Sequence, residues 1–321
     1  MRANTSSRFI LGGLLSAWLI SAMSSAENLV VRNTIVAPDL LTTTLVYLTL
    51  YGWMIAIIGF VLALALGKRI DQEFTRRSLW NNLSLHACIA GIMSSLGGIF
   101  VLLAQQQTDP SAIVPLFATT LLYTAEHDLR SGKIGFSQIA MPLAATILGS
   151  ALAAFNGSFV VTGTTLLLVV GFSNFCSART DIAIQKGARR NNAVATFAWS
   201  LFWYAVVNSI LAIVFLRMQL DTDAIVTTFE DSANALPWMM LTAGVAFLGI
   251  AIKATLLKNN AVSVVLVVLS AQVVFTHPIT IFGELVQPGI FGGLPDLSVW
   301  CVRIVGAIVL IWGISSIRRT I

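Results

Sequence analysis

VSVVLVVLSAQVVFTHPITIFGEL, Val262–Leu285, is an apolar run long enough to cross a bilayer as a helix. A helix needs about 20 such residues to span a hydrocarbon core of about 30 Å. A Pro/Gly-rich turn follows, and then a second run, SVWCVRIVGAIVLIWGISSIRR, Ser298–Arg319. Earlier in the chain IVPLFATTLLYTAEHD, Ile113–Asp128, leads through a polar turn into IGFSQIAMPLAATILGSALAAF, Ile134–Phe155, in the same design. Each pair places a glutamate at the end of its first run and a glycine within the second: Glu126 with Gly149, and Glu284 with Gly313.

Composition extends this reading to the whole chain. Of 321 residues, 57% are hydrophobic and 10% charged, with a mean hydropathy of +0.86, where a soluble protein carries about 25% charged residues. Lipid offers the backbone no hydrogen-bond partner, so such runs must be helices. The class is an all-α polytopic membrane protein. Ten runs are predicted, near residues 8–33, 40–66, 83–103, 111–124, 134–155, 159–176, 193–216, 236–257, 262–285 and 298–319. The fourth begins just after Pro110, a favoured residue at a helix start. The first run has a second reading, a cleavable signal peptide ending near Ser24-Ser25-Ala26.

A net charge of +5 could suggest a nucleic-acid partner, but loop topology explains it better. With the N-terminus inside, all 19 lysines and arginines except Arg32, Arg217 and Arg303 fall on inner segments, as the positive-inside rule requires. Both termini are then cytoplasmic, and in a bacterium the membrane is the inner one. Five helices per half is an odd number, so the second half lies inverted relative to the first. Asn156-Gly157 marks the hinge between units 1–155 and 156–321. Glu27 and Arg32 follow the first helix with the same gap that separates Asp181 and Lys186 after the sixth. A 5+5 inverted repeat is an architecture typical of secondary transporters.

The paired runs with Glu126, Gly149, Glu284 and Gly313 resemble the repeat of the drug/metabolite transporter superfamily, the EamA-type carriers. The resemblance implies a cavity surrounded by helices one to four and six to nine, with helices five and ten at the periphery. It also implies a secondary carrier for a small organic metabolite, an amino acid or related compound, working as an exporter. Sugar or nucleotide-sugar transport is the near alternative; a non-transporting membrane subunit or a lipid-modifying enzyme is the distant one.

Polar residues within apolar runs point into the bundle, since lipid exposure is costly. Ser200, Tyr204 and Asn208 recur every four residues on helix seven beside Trp203, forming a polar and aromatic stripe suited to a small amphipathic solute. Ser270 and Gln272 on helix nine, Asn174 on helix six and Ser21 on helix one complete the candidate lining. The competing reading of each is interhelical hydrogen bonding. His277, before Pro278, could carry a coupling proton where the proline opens the helix. Glu126, Glu284 and Arg303 are read as structural charges, with an Arg303–Glu284 pair as the sharper option for the last two. The expected partners are a small-molecule solute and the bilayer, with a proton or other coupling ion and a homodimer as further options.

Cys88, Cys176 and Cys301 lie in apolar runs without a CxxC motif and read as small buried hydrophobes. Neither a GxxxxGK[ST] loop nor an HExxH helix occurs. No cofactor, metal or enzymatic activity is expected.

Overall fold

The computed structural model describes residues 2–35, 37–80, 84–107, 113–153, 155, 163–286 and 296–317. Pro110, the Asn156-Gly157 hinge and the turn at 287–295 lie outside them. Every element among the described residues is helical. The long helices are α1 (Arg2–Thr34), α2 (Leu40–Ile70), α4 (Leu85–Gln107), α6 (Phe136–Ala153), α7 (Gly163–Arg190), α8 (Ala193–Gln219), α10 (Leu236–Asn259) and α13 (Leu297–Ile317). Shorter pieces are α3 (Arg76–Trp80), α5 (Thr120–Arg130, entered through a 3-10 turn Val114–Thr119), α9 (Thr222–Asp231), α11 (Val262–Leu269) and α12 (Gln272–Val286). Nine helices among the described residues are long and apolar enough to cross a membrane, α11 and α12 together forming one of them. The chain is therefore an all-α polytopic membrane protein. The expected fourth run is not among the nine; it is a 3-10 turn leading into an eleven-residue helix.

Helix starts follow local chemistry. Asp39 caps α2, accepting from the Leu41 and Thr42 amides at 2.9 Å each and from the Thr42 hydroxyl at 2.6 Å. Burial pushes the Asp39 carboxyl up, but these three bonds outweigh it and hold it below the ordinary value. Asn192 caps α8 through the Ala195 amide at 3.0 Å.

Two helices run further than their polarity suggests. The sequence places the end of the sixth run near Cys176, followed by a polar loop, yet α7 continues to Arg190. Ending it at Cys176 would leave its last four carbonyls unpaired inside the bundle; continuing keeps each one bonded. Likewise α1 carries on past Glu27 to Thr34.

The principal packings are α1 on α10, α4 on α7, α2 on α8, α4 on α8, α2 on α10, and α6 on α13. α1 also packs on α11 and α12, and α5 on both α7 and α11. The connections after α2, α5, α7 and α10 meet on one basic face. There Asp71 accepts from Asn192 Nδ2 at 2.8 Å and the Ala193 amide at 3.2 Å, with Lys258 at 3.5 Å from the carboxylate. Beside it the fully buried Asp128 accepts from the Ser263 amide and hydroxyl, both at 2.8 Å. Lys133 bonds Gln185 Oε1 at 2.7 Å, and Gln185 donates in turn to the carbonyls of Leu257 and Asn260 at 3.0 and 2.6 Å. Four connections are thus tied into one polar seal.

α6 and α13 lie antiparallel at the edge of the bundle. A Cβ at Gly149 would fall 2.7 Å from the Leu310 amide nitrogen and 2.8 Å from the Gly306 carbonyl, distances no side chain tolerates. Gly313 sits on the same seam against Ala145. The sequence singled out Gly149 and Gly313; Gly306, which faces Gly149, went unremarked. Gly149→Ala is expected to destabilise the protein by about 1–3 kcal/mol, because backbone cannot yield as a side chain would. Gly244→Ala, on α10 with nothing within 4 Å of the added carbon, should gain roughly 0.5–1 kcal/mol from helix propensity. Thermal unfolding of both variants in detergent checks the opposite signs.

Candidate functional site

A cavity of about 320 Å³ lies at the centre of the bundle, within the size range of small-molecule sites. Its wall takes residues from α1, α2, α4, α5, α7, α8, α10 and the α11–α12 segment. No residue of α6 or α13 contributes to it.

Three local irregularities in the helices lie at this wall. α7 widens into a π-helical segment over Leu167–Ser173, next to Asn174, a distortion often found at functional sites. α5 is entered through its 3-10 turn just before Thr120. Between α11 and α12 the chain breaks at Ser270-Ala271. Ser270 Oγ there donates to the Val267 carbonyl at 2.5 Å, and the Gln272 carbonyl accepts from Ser21 on α1 and from Thr276, at 2.7 and 2.8 Å. Side-chain hydroxyls thus replace partners that the broken helices lack. The sequence placed a local opening at Pro278, but α12 runs through that proline, and the break falls about two turns earlier.

The two carboxylates on the wall were read as following the first and sixth helices. Glu27 reaches it from α1, and Asp181 and Lys253 reach it from α7 and α10. Lys253 Nζ and Asp181 Oδ1 form an ion pair at 2.7 Å, with side-chain exposures of 15% and 2%. That burial makes the pair an internal interaction rather than a surface one. Asp181 Oδ2 is buried with no hydrogen bond among the described residues. A signal existed for both carboxylates. Extending the helical phase puts Asn174, Ser177, Asp181 and Gln185 on one face, and does the same for Ile20, Ser24 and Glu27.

Of the residues expected to line a cavity, Asn174, Ser200, Tyr204, Ser270 and Gln272 do so. Asn174 Nδ2 also donates to the Leu116 carbonyl at 2.8 Å and to Thr119 Oγ1 at 2.6 Å, which joins α7 to the entry of α5. Ser21, Trp203, Asn208 and His277 stand outside the wall. Ser21 braces α12 as described. Trp203 packs against Gly91, and Asn208 is buried one turn beyond Tyr204. His277 is buried against Trp300, the ring centroids 6.0 Å apart and near perpendicular. The break at Ser270 explains its position: in one unbroken helix Ser270 and His277, seven residues apart, would share a face.

Glu126 lies on the surface and pairs with Arg130 at 2.6 Å, whereas Glu284 is buried. Arg303 is buried too and donates from Nε to the Phe155 carbonyl at 2.7 Å, bracing α13 against the end of α6.

These features define a class, an all-α polytopic membrane protein with a mainly apolar cavity among its helices that holds Glu27, Asp181 and Lys253. No protein-family model matches the chain, and no curated protein matches it. Among solved structures, one described as "Crystal structure of protein" is similar over 97% of this chain and 96% of its own, with a TM-score of 0.55 and 13% identity. At that identity the likeness shows a shared fold alone.

Removing one member of the Asp181–Lys253 pair leaves a buried charge uncompensated. Lys253→Met should therefore cost about 3 kcal/mol or more, while the double variant Asp181→Leu/Lys253→Met recovers most of the loss. A double-mutant cycle from detergent unfolding curves measures that coupling.

Proposed function

We propose that this chain is a secondary carrier that moves a small organic metabolite, an amino acid or related compound, across the bilayer by alternating access, with export as its direction. The observation that carries the reading is one cavity served by both halves of the chain. Glu27, Tyr47, Tyr51 and Thr120 come from residues 1–155, and Asn174, Asp181, Tyr204 and Lys253 from 156–321. A site between two structurally related halves is what rocking exposes first to one side and then to the other.

Helix packing supports the 5+5 inverted arrangement. Let α1, α2, α4, α5 and α6 correspond to α7, α8, α10, α11–α12 and α13. The α1–α10 contact then exchanges with α7–α4, and α2–α10 exchanges with α8–α4. The pairs α2–α8, α5–α11 and α6–α13 map onto themselves. Val114–Arg130 would supply the tenth crossing, and the basic face would be cytoplasmic, with both termini on it. The cavity wall drawn from eight helices, with α6 and α13 at the edge, also fits the layout that the resemblance to EamA-type carriers implies.

In this arrangement the polar seal around Asp71 and Asp128 closes the cytoplasmic side. Its hydrogen bonds exchange readily with water, so parting them costs far less than separating an apolar core. Lys253, the cation on the wall, is already neutralised by Asp181, which disfavours a phosphorylated solute.

Counterflow of labelled amino acids in proteoliposomes tests the reading. Wild-type protein should give saturable counterflow for at least one member of the panel. Asp181→Ala should reduce it about tenfold, the effect of roughly 1.4 kcal/mol, with helical content and monodispersity retained. Absence of counterflow across the panel by folded wild-type protein overturns the amino-acid assignment.

A further inference from the structure

The cavity holds two carboxylates in different electrostatic situations. Asp181 is answered by Lys253 at 2.7 Å. Glu27 has no lysine, arginine or histidine within ion-pair distance among the described residues. Around it stand three tyrosines. Tyr47 and Tyr51, one turn apart on α2, are both buried and stack with ring centroids 5.3 Å apart and planes 10° from parallel. Their hydroxyls interact with the Glu27 carboxylate and find no other hydrogen-bond partner among the described residues. Tyr204 enters the same wall from α8.

A carboxylate, phenol oxygens with no donor bonded to them among the described residues, and aromatic rings on one wall form the complement of a particular group. An alkylammonium carries one positive charge and three N–H donors, and no acceptor. It can donate to the carboxylate and to phenol oxygens at once while its charge lies against a π face. A carboxylate or phosphate on the solute would meet repulsion here. A neutral hydroxyl compound would leave the Glu27 charge without an answer, which is costly in a desolvated site.

We propose that Glu27, with Tyr47, Tyr51 and Tyr204, is an ammonium-recognition site for the transported solute, whose apolar body lies along Leu48, Ile55 and Leu269. The assignment rests on the carrier reading of this cavity and narrows it to amine-bearing solutes.

Isothermal titration calorimetry on the full chain in detergent tests the assignment with four matched probes. Leucine and leucine methyl ester keep the ammonium; N-acetyl-leucine and its methyl ester lack it. The first two should bind at least about tenfold more tightly than their acetylated partners, as expected for charge-assisted hydrogen bonds. Glu27→Gln, equal in shape but uncharged, should abolish that discrimination and leave the acetylated probes unchanged. Tyr51→Phe should reduce it by a smaller factor; should Glu27→Gln fail to fold, Tyr47→Phe and Tyr51→Phe carry the test.

Equal binding of free and acetylated probes overturns the proposal. So do discrimination that survives Glu27→Gln, no binding by any of the four, and a Glu27-dependent signal from sodium with none from the amines. The two levels of the reading fail separately in counterflow. Ammonium probes that bind through Glu27 but never cross keep the site and remove the carrier. Acetylated solutes that cross regardless of Glu27 keep the carrier and remove the site.

Discussion

Backbone amides and carbonyls have no water to turn to within hydrocarbon, and the architecture of this chain follows from meeting that demand. It is why α7 does not stop where its residues turn polar, and why α1 carries Glu27 inside a helix instead of into a loop. A helix end in the bundle would strand four carbonyls. Charged side chains at depth are the more tolerable alternative, because side chains can find partners across a helix interface while orphaned backbone cannot move to seek them. The charges of the cavity wall therefore follow from backbone continuity as much as from their own chemistry.

Three interruptions of the backbone ladder lie beside the cavity. The π-helical segment of α7, the 3-10 entry to α5 and the Ser270-Ala271 break each sit next to wall residues. Freed backbone groups there find hydroxyls, as Ser270 and Ser21 show. Such interruptions persist only where neighbouring protein or a hydrated cavity can satisfy them. The same stretch of chain is thereby both the least regular and the best placed to meet a solute. On the opposite margin, α6 and α13 close over Gly149 and Gly306 at backbone contact. Small residues allow that approach, and close packing takes over from the hydrophobic effect, which gives little between helices in lipid.

The polar interactions divide by location. On the basic face, Asp71, Asp128, Lys133 and Gln185 tie four connections together through exchangeable hydrogen bonds. Inside, Lys253 cancels the charge of Asp181 and leaves Glu27 beside its tyrosines. The first kind is a network in which side chains and backbone groups of separate connections pair with one another. A charge of the second kind keeps its strength because little water screens it.

The amino-acid sequence alone determined the helical class and most helix positions, because runs of this length and polarity have one stable form in a bilayer. The segregation of basic residues was equally legible, since only three of the 19 escape one side of the predicted topology. Gly149 and Gly313 could be picked out, but their opposing surfaces could not. Which polar residues meet was decided by tertiary structure. Tyr204 and Asn208 lie one turn apart on α8, yet the first lines the cavity and the second is buried outside its wall. Ser270 and His277 separated once the helix broke between them. A soluble helix announces its inner face through an apolar stripe, but here lipid and protein neighbours are both apolar, so periodicity carries almost no directional signal. Glu27, Tyr47, Asp181 and Lys253 come together only when helices far apart in the chain are packed side by side.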